Sequence, residues 1–478
     1  MSRSILVFAW IVALSMVLSL APEAARAAPA PPIPDTPAGT VFAAWLEAAN
    51  SGDRAQVEAF KERYKFGPPV ERVLQQRQTS GAFELVRIEN SAERSLSALL
   101  RIQGDRYVNA VLSVSADDPP TIENISLLPA RVPPPPEAAP AERMTEAEAL
   151  NAVRMHVDDL AKQDQFSGAL LVARHGKVLL EQAWGLADRN ASKVATVDTQ
   201  FNLGSMNKMF TAVAVLQLAE AGKLSLQATV GTYLPDYPNR DVAEKVTVRE
   251  LLNHTGGTGD FATPEWFAQK DSIREHADYL KLLGARGLDH EPGKEFRYSN
   301  YGFILLGAII ERVSGMSYYD YVDKHIFKPA GMRASDSLPK VAKRPSRAVA
   351  YTKRTGALME NVDLPYRGSG AGGGYSTVGD LLKFTQALEA GKLISLKSLH
   401  EATQPQTPPT SERLYGYGFV PEGDGSLRSY GHNGGTEGVN SSLRIFPELG
   451  VVVVCLSNRD PPAAEQVARY YTQRMPAQ

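Results

Sequence analysis

Ser205 and Lys208 stand three residues apart at the start of a predicted helix, within the stretch FNLGSMNKMF at residues 201–210. On a helix this spacing puts both side chains on one face, one turn apart. A serine hydroxyl needs a neighbouring base to become a good nucleophile, and a lysine whose pKa is lowered by desolvation can take its proton. The pair therefore predicts nucleophilic catalysis at Ser205.

The residues that follow this pair favour a catalytic role over a chance occurrence of the motif. Ser-x-x-Lys occurs by chance in many chains, and serine is also common at the first position of a helix. Here, however, apolar side chains recur at helical spacing until Gly222 ends the helix: Met206, Met209, Phe210, Val213 and Leu216. The pattern predicts a buried helix that carries Ser205 and Lys208 at its start.

Two further motifs follow along the chain. Tyr298 and Asn300 form a Tyr-x-Asn motif at the start of an apolar helix predicted for residues 301–313. The sequence GHNGG at residues 431–435 contains His432 and begins a predicted sheet strand. Taken alone, Tyr298 could be a core aromatic and Asn300 an ordinary helix cap. Their significance depends on the order in which the three motifs occur.

The order Ser-x-x-Lys, Tyr-x-Asn and His-x-Gly resembles the serine β-lactamase and penicillin-binding-protein superfamily. The resemblance covers residues 146–478. It is closest to the branch that contains class C β-lactamases, D-alanyl-D-alanine carboxypeptidases, D-aminopeptidases and related esterases. It implies an α+β fold in which an antiparallel sheet is flanked by helices and accompanied by a helical subdomain, with the catalytic cleft between them.

The resemblance implies a role for each motif residue. Ser205 would attack a carbonyl carbon, and Lys208 would help to hold the serine proton. Tyr298 and Asn300 would complete the catalytic group. Tyr298 could act as the base only beside a cation that stabilises its phenolate, or by sharing a proton with Lys208. Whether Lys208 or Tyr298 is the acylation base stays open at this point.

By the same resemblance, the strand edge at residues 432–435 binds the substrate. The backbone N–H groups of Ser205 and Gly435 would form the oxyanion hole, and glycines such as Gly434 and Gly435 let a substrate approach the strand closely. Many relatives have lysine where this chain has His432. An ordinary imidazole is mostly neutral at pH 7, unless a carboxylate such as Glu437 retains its proton. We therefore expect a preference for peptides or neutral esters over β-lactams.

These motifs predict an exported hydrolase that forms an acyl-enzyme on an amide or ester. A D-amino-acid peptide, a cell-wall fragment and a small ester all fit the same machinery. A β-lactamase proper is one alternative, and a non-catalytic penicillin-binding-like sensor or binding protein is another. The oligomeric state stays open.

Composition narrows the possible partners. The net charge of −2 over 478 residues gives no indication of a nucleic-acid partner. The eight histidines form no H-E-x-x-H motif, and no cysteine pair exists, so we expect no metal site, no cofactor and no disulfide. The single cysteine, Cys455, lies in an apolar run and is predicted to be a core residue of a buried strand.

The N-terminal residues predict export. Arg3, the apolar run at residues 5–20 and the Ala-x-Ala site at residues 25–27 are typical of a secretory signal peptide at residues 1–27. Cleavage would leave no stable membrane span and place the protein in the periplasm or outside the cell. An uncleaved anchor is the alternative, because the apolar run at residues 5–20 is only just short of the about 20 residues that span a bilayer comfortably. A Pro-rich tether is predicted for residues 28–37.

A small α+β accessory domain is predicted for residues 38–128 and resembles nuclear-transport-factor-like or cystatin-like folds. Its pattern indicates two helices and three strands, at residues 41–50, 54–64, 83–89, 95–102 and 107–115. A Pro-rich linker at residues 129–144 is predicted to separate it from the hydrolase domain at residues 145–478. All three catalytic motifs lie in the second domain.

Two stretches outside the motifs contain residue types that occur in functional sites, but neither stretch predicts a catalytic role. The glycine-rich run at residues 368–374 lacks the Lys-Ser/Thr of a phosphate-binding loop, and we interpret it as a flexible approach to a helix that starts near residue 376. His254 lies in LLNHTGG, which resembles a structural stretch of the family, and is expected to hold a loop by hydrogen bonds. No G-x-S-x-G occurs, which argues against an α/β-hydrolase.

Overall fold

The computed structural model describes residues 31–66, 68–102, 106–130, 141–342, 344–353, 357–408, 411 and 413–478. The predicted signal peptide and most of the predicted linker lie outside these residues. The chain divides into two compact units, Met1–Pro133 and Pro134–Gln478. Each unit is described by itself below.

The first unit packs three helices with a four-stranded sheet. Its helices are α1 (Pro37–Ser51), α2 (Arg54–Tyr64) and α3 (Val70–Ser80). They precede an antiparallel meander of β1 (Glu84–Ser91), β2 (Ser95–Ile102), β3 (Arg106–Val114) and β4 (Ile122–Ala130), whose spatial order follows the chain. The core joins aromatic side chains of α1 and α2 to alternate residues of β2 and β3.

Two elements of this unit were missing from the sequence prediction. The helix α3, with the sequence VERVLQQRQTS, has polar side chains on most of its positions, so its pattern gives little periodic signal. The strand β4 contains Pro129 and polar residues at positions where a buried strand would be apolar. The elements that precede them in the chain, α2 and β3, were predicted.

A five-stranded antiparallel sheet forms the centre of the second unit. After α4 (Glu146–Lys162) the chain makes the hairpin β5 (Gly168–Arg174) and β6 (Lys177–Trp184). The C-terminal strands β13 (Tyr430–Thr436), β14 (Val439–Phe446) and β15 (Val451–Ser457) complete the sheet in the order β13, β14, β15, β5, β6. The first and last parts of the unit therefore meet in one sheet.

Both faces of this sheet are covered, and this explains the nearly continuous apolar runs of its central strands. Leu170, Val172 and Cys455 pack against α4 and the last helix, α16 (Ala463–Thr472). Their neighbours Leu171 and Val454 point to the other face and join the larger core. Burial of Cys455 raises the pKa of its thiol, as expected for a core residue.

The remaining elements lie between β6 and β13 in the chain. Short strands are β7 (Leu186–Asp188), β8 (Lys193–Val194), β9 (Phe201–Asn202), β10 (Tyr351–Thr352), β11 (Met359–Glu360) and β12 (Tyr375–Ser376). The helices are α5 (Asn207–Glu220), α6 (Val230–Tyr233), α7 (Arg240–Lys245), α8 (Val248–Leu252), α9 (Pro264–Gln269), α10 (His276–Leu283), α11 (Asn300–Ser314), α12 (Tyr318–Val322), α13 (Lys328–Ala330), α14 (Val378–Glu389) and α15 (Leu396–Ala402). The helices α5 and α11 are almost entirely buried and pack on each other.

This architecture is the predicted α+β class, with an antiparallel sheet flanked by helices. A capping box of Thr145 and Glu148 begins α4. In the described part of the chain, no helix combines the length and apolar character needed to cross a membrane.

Candidate active site

Ser205 lies in a 3-10 turn, Gly204–Met206, that leads directly into α5. Gly204 has a φ of 50°, and a Cβ atom there would lie 2.8 Å from the backbone nitrogen of Gly435. Only glycine allows this approach without strain. The turn that carries Ser205 is therefore packed against the β13 edge, where both predicted oxyanion-hole residues meet.

Lys208 is fully buried one turn after Ser205. Its Nζ donates to Asn300 Oδ1 at 2.7 Å and to the Ala371 carbonyl oxygen at 2.6 Å, and it lies 3.4 Å from Ser205 Oγ. A buried amine needs such acceptors, because a charge without partners is costly in the interior. The two short contacts aim Lys208 so that it also faces the predicted nucleophile.

Tyr298 and Asn300 reach Lys208 from the start of α11. The centre of the Tyr298 ring lies 4.8 Å from Lys208 Nζ. Ser299 between them is the N-cap of α11, because its Oγ accepts from the Gly302 amide at 2.9 Å. Since Ser299 provides the cap, the Asn300 side chain is available to bind Lys208. The structure thus brings four predicted residues of two motifs together.

Asp260 was missed by the sequence interpretation. Its Oδ2 accepts from Asn300 Nδ2 at 2.8 Å. An ionised carboxylate is only an acceptor, so it holds the NH₂ end of the amide and leaves Oδ1 facing Lys208. The position of Asp260 just after the HTGG stretch was a sequence signal for a role in the site. An aspartate in a loop, however, can have many other roles.

The glycine-rich segment, residues 368–374, also belongs to the site. It provides the Ala371 carbonyl to Lys208, and its Gly373 amide donates to the Gly204 carbonyl at 3.1 Å. Asn207 Oδ1 accepts from the Gly374 amide at 3.2 Å. The prediction of a flexible approach was wrong for this segment, because its backbone is hydrogen-bonded to the residues around the nucleophile and most of it is buried.

His432 and the two glycines after Asn433 occupy β13 as predicted. The His432 imidazole is 3% exposed; its Nδ1 donates to the Asn433 carbonyl, and its Nε2 lies 2.9 Å from the Tyr415 hydroxyl. A Cβ atom on Gly434 would lie 2.0 Å from the Leu203 carbonyl oxygen. Glycine at this position lets β13 lie directly beside the turn that carries Ser205.

Tyr415 is a second residue that the sequence interpretation missed. It is buried, and its ring packs against the rings of His254, Phe296 and Tyr298 as well as His432. Burial, with a smaller contribution from Tyr298, raises the pKa of Tyr415 well above its usual value. Its hydroxyl therefore keeps its proton. The motif LYGYGF around it contains no residue type that indicates chemistry by itself.

His254 holds the Tyr-x-Asn motif in place. Its Nδ1 accepts from the Ser299 amide at 3.0 Å, and its ring centre lies 4.2 Å from that of Tyr298. Burial, followed by the charges of Lys208 and His432, holds the pKa of His254 well below its ordinary value. A neutral imidazole that accepts at Nδ1 carries its hydrogen on Nε2. These contacts agree with the structural role expected for it.

The chemical groups that the structure brings together at this site are side chains and backbone groups of the chain. Among the residues that the structure describes, no cluster of three or more His, Cys, Asp or Glu side chains could hold a metal ion. The arrangement places a serine hydroxyl, a buried amine and a phenol ring at the edge of a glycine-rich strand. Such a group can carry out acyl transfer through a serine ester.

Comparison with known proteins gives consistent matches. The Beta-lactamase family model matches residues 153–475. A penicillin-binding protein of Bacillus subtilis (strain 168) is 32% identical over 327 residues, covering 63% of this chain and 70% of that protein. The crystal structure of a penicillin-binding protein from Bacillus halodurans has a TM-score of 0.60 at 28% identity, covering 66% of this chain and 98% of that chain.

A D-stereospecific amidohydrolase from Streptomyces sp. is also similar in structure. Its TM-score is 0.57 at 26% identity, and the match covers 66% of this chain and 97% of that chain. These matches confirm the predicted superfamily and its β-lactamase/transpeptidase-like fold. They support a serine hydrolase of this group. The chain belongs to the Beta-lactamase family.

Proposed function

We propose that this protein is an exported serine hydrolase that cleaves amides or esters through an acyl-enzyme at Ser205. The observation that carries the proposal is the position of Lys208, whose buried amine is shared by Asn300, Ala371 and Ser205. A serine held beside a buried amine is poised to lose its proton as it attacks a carbonyl carbon.

The reaction needs two steps. First, Ser205 Oγ bonds to the substrate carbonyl carbon, the serine proton passes to the neutral amine of Lys208 or to the phenolate of Tyr298, and the bond to the leaving group breaks as the leaving amine or alcohol takes that proton. Water then cleaves the resulting serine ester. The amides of Ser205 and Gly435 would stabilise the oxyanion in both steps. Both candidate bases belong to the same site, because Lys208 Nζ lies 4.8 Å from the centre of the Tyr298 ring.

The substrate class that we propose is a neutral amide or ester, such as a D-amino-acid peptide, a cell-wall fragment or a small ester. Both imidazole nitrogens of His432 are engaged, one by Asn433 and one by Tyr415. An imidazole held in this way offers an anionic substrate less than a lysine ammonium would, because both of its nitrogens already have partners. The similarity to a D-stereospecific amidohydrolase supports the amide class. β-Lactams, which carry a carboxylate, should be poorer substrates.

Labelling with a fluorescent phosphonate tests the acyl-enzyme. The wild type should be labelled and Ser205→Ala should not, whereas Ser225→Ala, at an exposed serine in another loop, should be labelled like the wild type. Equal labelling of wild type and Ser205→Ala would contradict the proposal. Absence of labelling in the folded wild type would favour the alternative of a non-catalytic sensor.

A substrate panel tests the class. The panel consists of p-nitrophenyl esters, D-alanine p-nitroanilide, a D-Ala-D-Ala peptide and nitrocefin. We expect turnover of the esters or amides to exceed that of nitrocefin, and His432→Lys to raise the rate on nitrocefin relative to neutral esters. Nitrocefin as the best substrate of the wild type would support a β-lactamase proper.

Export and independence of the second unit are parts of the same proposal. The sequence of residues 1–27 supports cleavage and secretion, and N-terminal sequencing of the exported protein should then begin near Ala28.

All motif residues lie in the unit Pro134–Gln478. A protein that starts at Ala141 should therefore keep most of its kcat on a small ester. Loss of that activity in a folded protein would assign the first unit a catalytic role.

A further inference from the structure

We propose that His276, held by Glu311, is a positioning residue that fixes the glycine-rich segment so that the Ala371 carbonyl binds Lys208. This inference rests on the proposed function of Ser205 and Lys208. It assigns a task to a buried histidine and a half-buried carboxylate that belong to none of the three motifs. Neither residue touches the serine or the lysine directly in the contacts described above.

The hydrogen bonds of His276 define its tautomer. The imidazole is 1% exposed; its Nε2 accepts from the Gly370 amide at 3.0 Å, and its Nδ1 lies 3.0 Å from Glu311 Oε1. A backbone amide can only donate, so Nε2 carries no hydrogen and Nδ1 donates to the carboxylate. Glu311 also accepts from the Tyr318 amide at 3.1 Å, which holds the carboxylate in place.

Glu311 is suited to remain ionised in this place. Burial raises the pKa of its carboxyl, but the hydrogen bonds from His276 and from the Tyr318 amide lower it, and the net direction is downward. An ionised acceptor keeps the hydrogen on Nδ1 of the imidazole. Nε2 of His276 therefore stays available to the Gly370 amide.

The same segment is also held by hydrogen bonds from α5. Thr211 Oγ1 donates to the Gly370 carbonyl at 2.7 Å, and Asn207 Nδ2 donates to the Ser369 carbonyl at 3.3 Å. Asn207 and Thr211 flank Lys208 on the helix that follows the nucleophile. Hydrogen bonds from α5 and to the imidazole at the start of α10 thus hold the segment in place. The next carbonyl oxygen, that of Ala371, lies 2.6 Å from Lys208 Nζ.

A glycine inside α11 gives independent support. A Cβ atom on Gly307 would lie 2.3 Å from Nε2 of His276. Glycine in a helix interior is less stable than alanine. Its presence within a buried helix is explained by the room that the imidazole needs. The sequence of α11 is therefore adapted to this side chain.

Displacement of the segment would change the position of Lys208 Nζ relative to Ser205 and leave the substrate contacts at β13 in place. We therefore expect an effect on kcat with little effect on KM. A small misplacement of a catalytic group can lower a rate by one to two orders of magnitude. A residue that served only global stability would lower the melting temperature and leave kcat of the folded protein unchanged.

Two replacements of His276 separate these possibilities. The amide of glutamine reaches the position of Nε2 and can still accept from Gly370, whereas that of asparagine reaches only the position of Nδ1. His276→Asn should lower kcat on a p-nitrophenyl ester on the order of tenfold or more, with KM within about twofold. His276→Gln should retain most of kcat. His156→Asn, on α4 at the other face of the sheet, should match the wild type.

Gly307→Ala provides a second variant that keeps the histidine. Its methyl group would displace the imidazole from the Gly370 amide without weakening the helix, so kcat should fall in the folded protein here too. Equal kcat for wild type, His276→Asn and Gly307→Ala would overturn the inference, as would equal losses in the Asn and Gln variants. If His276→Asn does not fold, Gly307→Ala decides. Failure of the proposed function is separate, because it appears as labelling that survives Ser205→Ala.

Discussion

The hydroxyl of Tyr415 lies 2.9 Å from Nε2 of His432, and both side chains are buried. Because Nδ1 of this imidazole donates to the Asn433 carbonyl, Nε2 of the neutral form accepts from the phenol. The raised pKa of Tyr415 keeps its hydrogen available for this bond. The histidine of the third motif is therefore oriented by a tyrosine that belongs to no motif.

Tyr415→Phe should lower kcat/KM for a neutral ester on the order of tenfold, because a buried nitrogen of His432 loses its partner, at a cost of about 1–3 kcal/mol. Steady-state kinetics measure this effect. Tyr471→Phe is the matched control, since the buried Tyr471 hydroxyl has no hydrogen-bond partner among the described atoms. The control should keep full activity and equal or higher stability. Wild-type kcat/KM in Tyr415→Phe would contradict the role of the phenol.

Asp260 is predicted to set the orientation of Asn300. Asp260→Ala would free the Asn300 amide to rotate and present its NH₂ group to Lys208, so kcat/KM should fall on the order of tenfold. Asp260→Asn still offers an oxygen to Asn300 Nδ2 and should stay within a few-fold of the wild type. Kinetics together with circular dichroism would check both variants. Full activity of Asp260→Ala, or equal losses in the two variants, would rule out this role.

His254 is predicted to make stability depend on pH. Its pKa is held well below the ordinary 6.5, so the unfolded chain binds this proton more readily than the folded protein does. The free energy of unfolding should therefore fall as the pH drops below about 6.5, at no more than about 1.4 kcal/mol per pH unit from this residue. Above that pH the contribution is constant.

His254→Asn removes this proton site while it keeps an acceptor for the Ser299 amide and tolerates the φ of 61°. Urea unfolding from pH 7.5 to 4.5 should show a shallower pH slope in this variant. His175→Asn is the control, because His175 has a similar φ of 47° but is exposed in a turn. Identical slopes in wild type and His254→Asn would contradict the prediction.

Gly434→Ala should push β13 away from the turn of Ser205. The added Cβ would lie 2.0 Å from the Leu203 carbonyl oxygen and 2.5 Å from Ser441 Oγ. Overpacking of this kind costs typically about 1–3 kcal/mol, and acylation should slow because the amides of the proposed oxyanion hole move apart. Gly287→Ala, where no atom lies within 4 Å, should change stability by less than about 0.5 kcal/mol. Thermal unfolding and labelling rates measure both effects.

Local sequence patterns were sufficient to predict the elements that carry the motifs. Helical spacing of apolar residues predicted α5 and α11, and the apolar run around Cys455 predicted a central strand. These signals are local, since each depends on which face of one element is buried. The order of the motifs then indicated the superfamily, and the structural comparisons confirm it together with the α+β fold.

The residues that complete the site depend on long-range contacts and could not be predicted from local patterns. Lys208 binds the carbonyl of Ala371, 163 positions away, and a backbone carbonyl has no side-chain type by which a sequence could reveal it. Asp260, Tyr415 and His276 are ordinary polar residues in sequence, and they gain their roles only from neighbours that packing brings to them. The glycine-rich segment was misjudged for the same reason: glycines permit flexibility in an isolated chain, whereas here they permit close packing around the nucleophile.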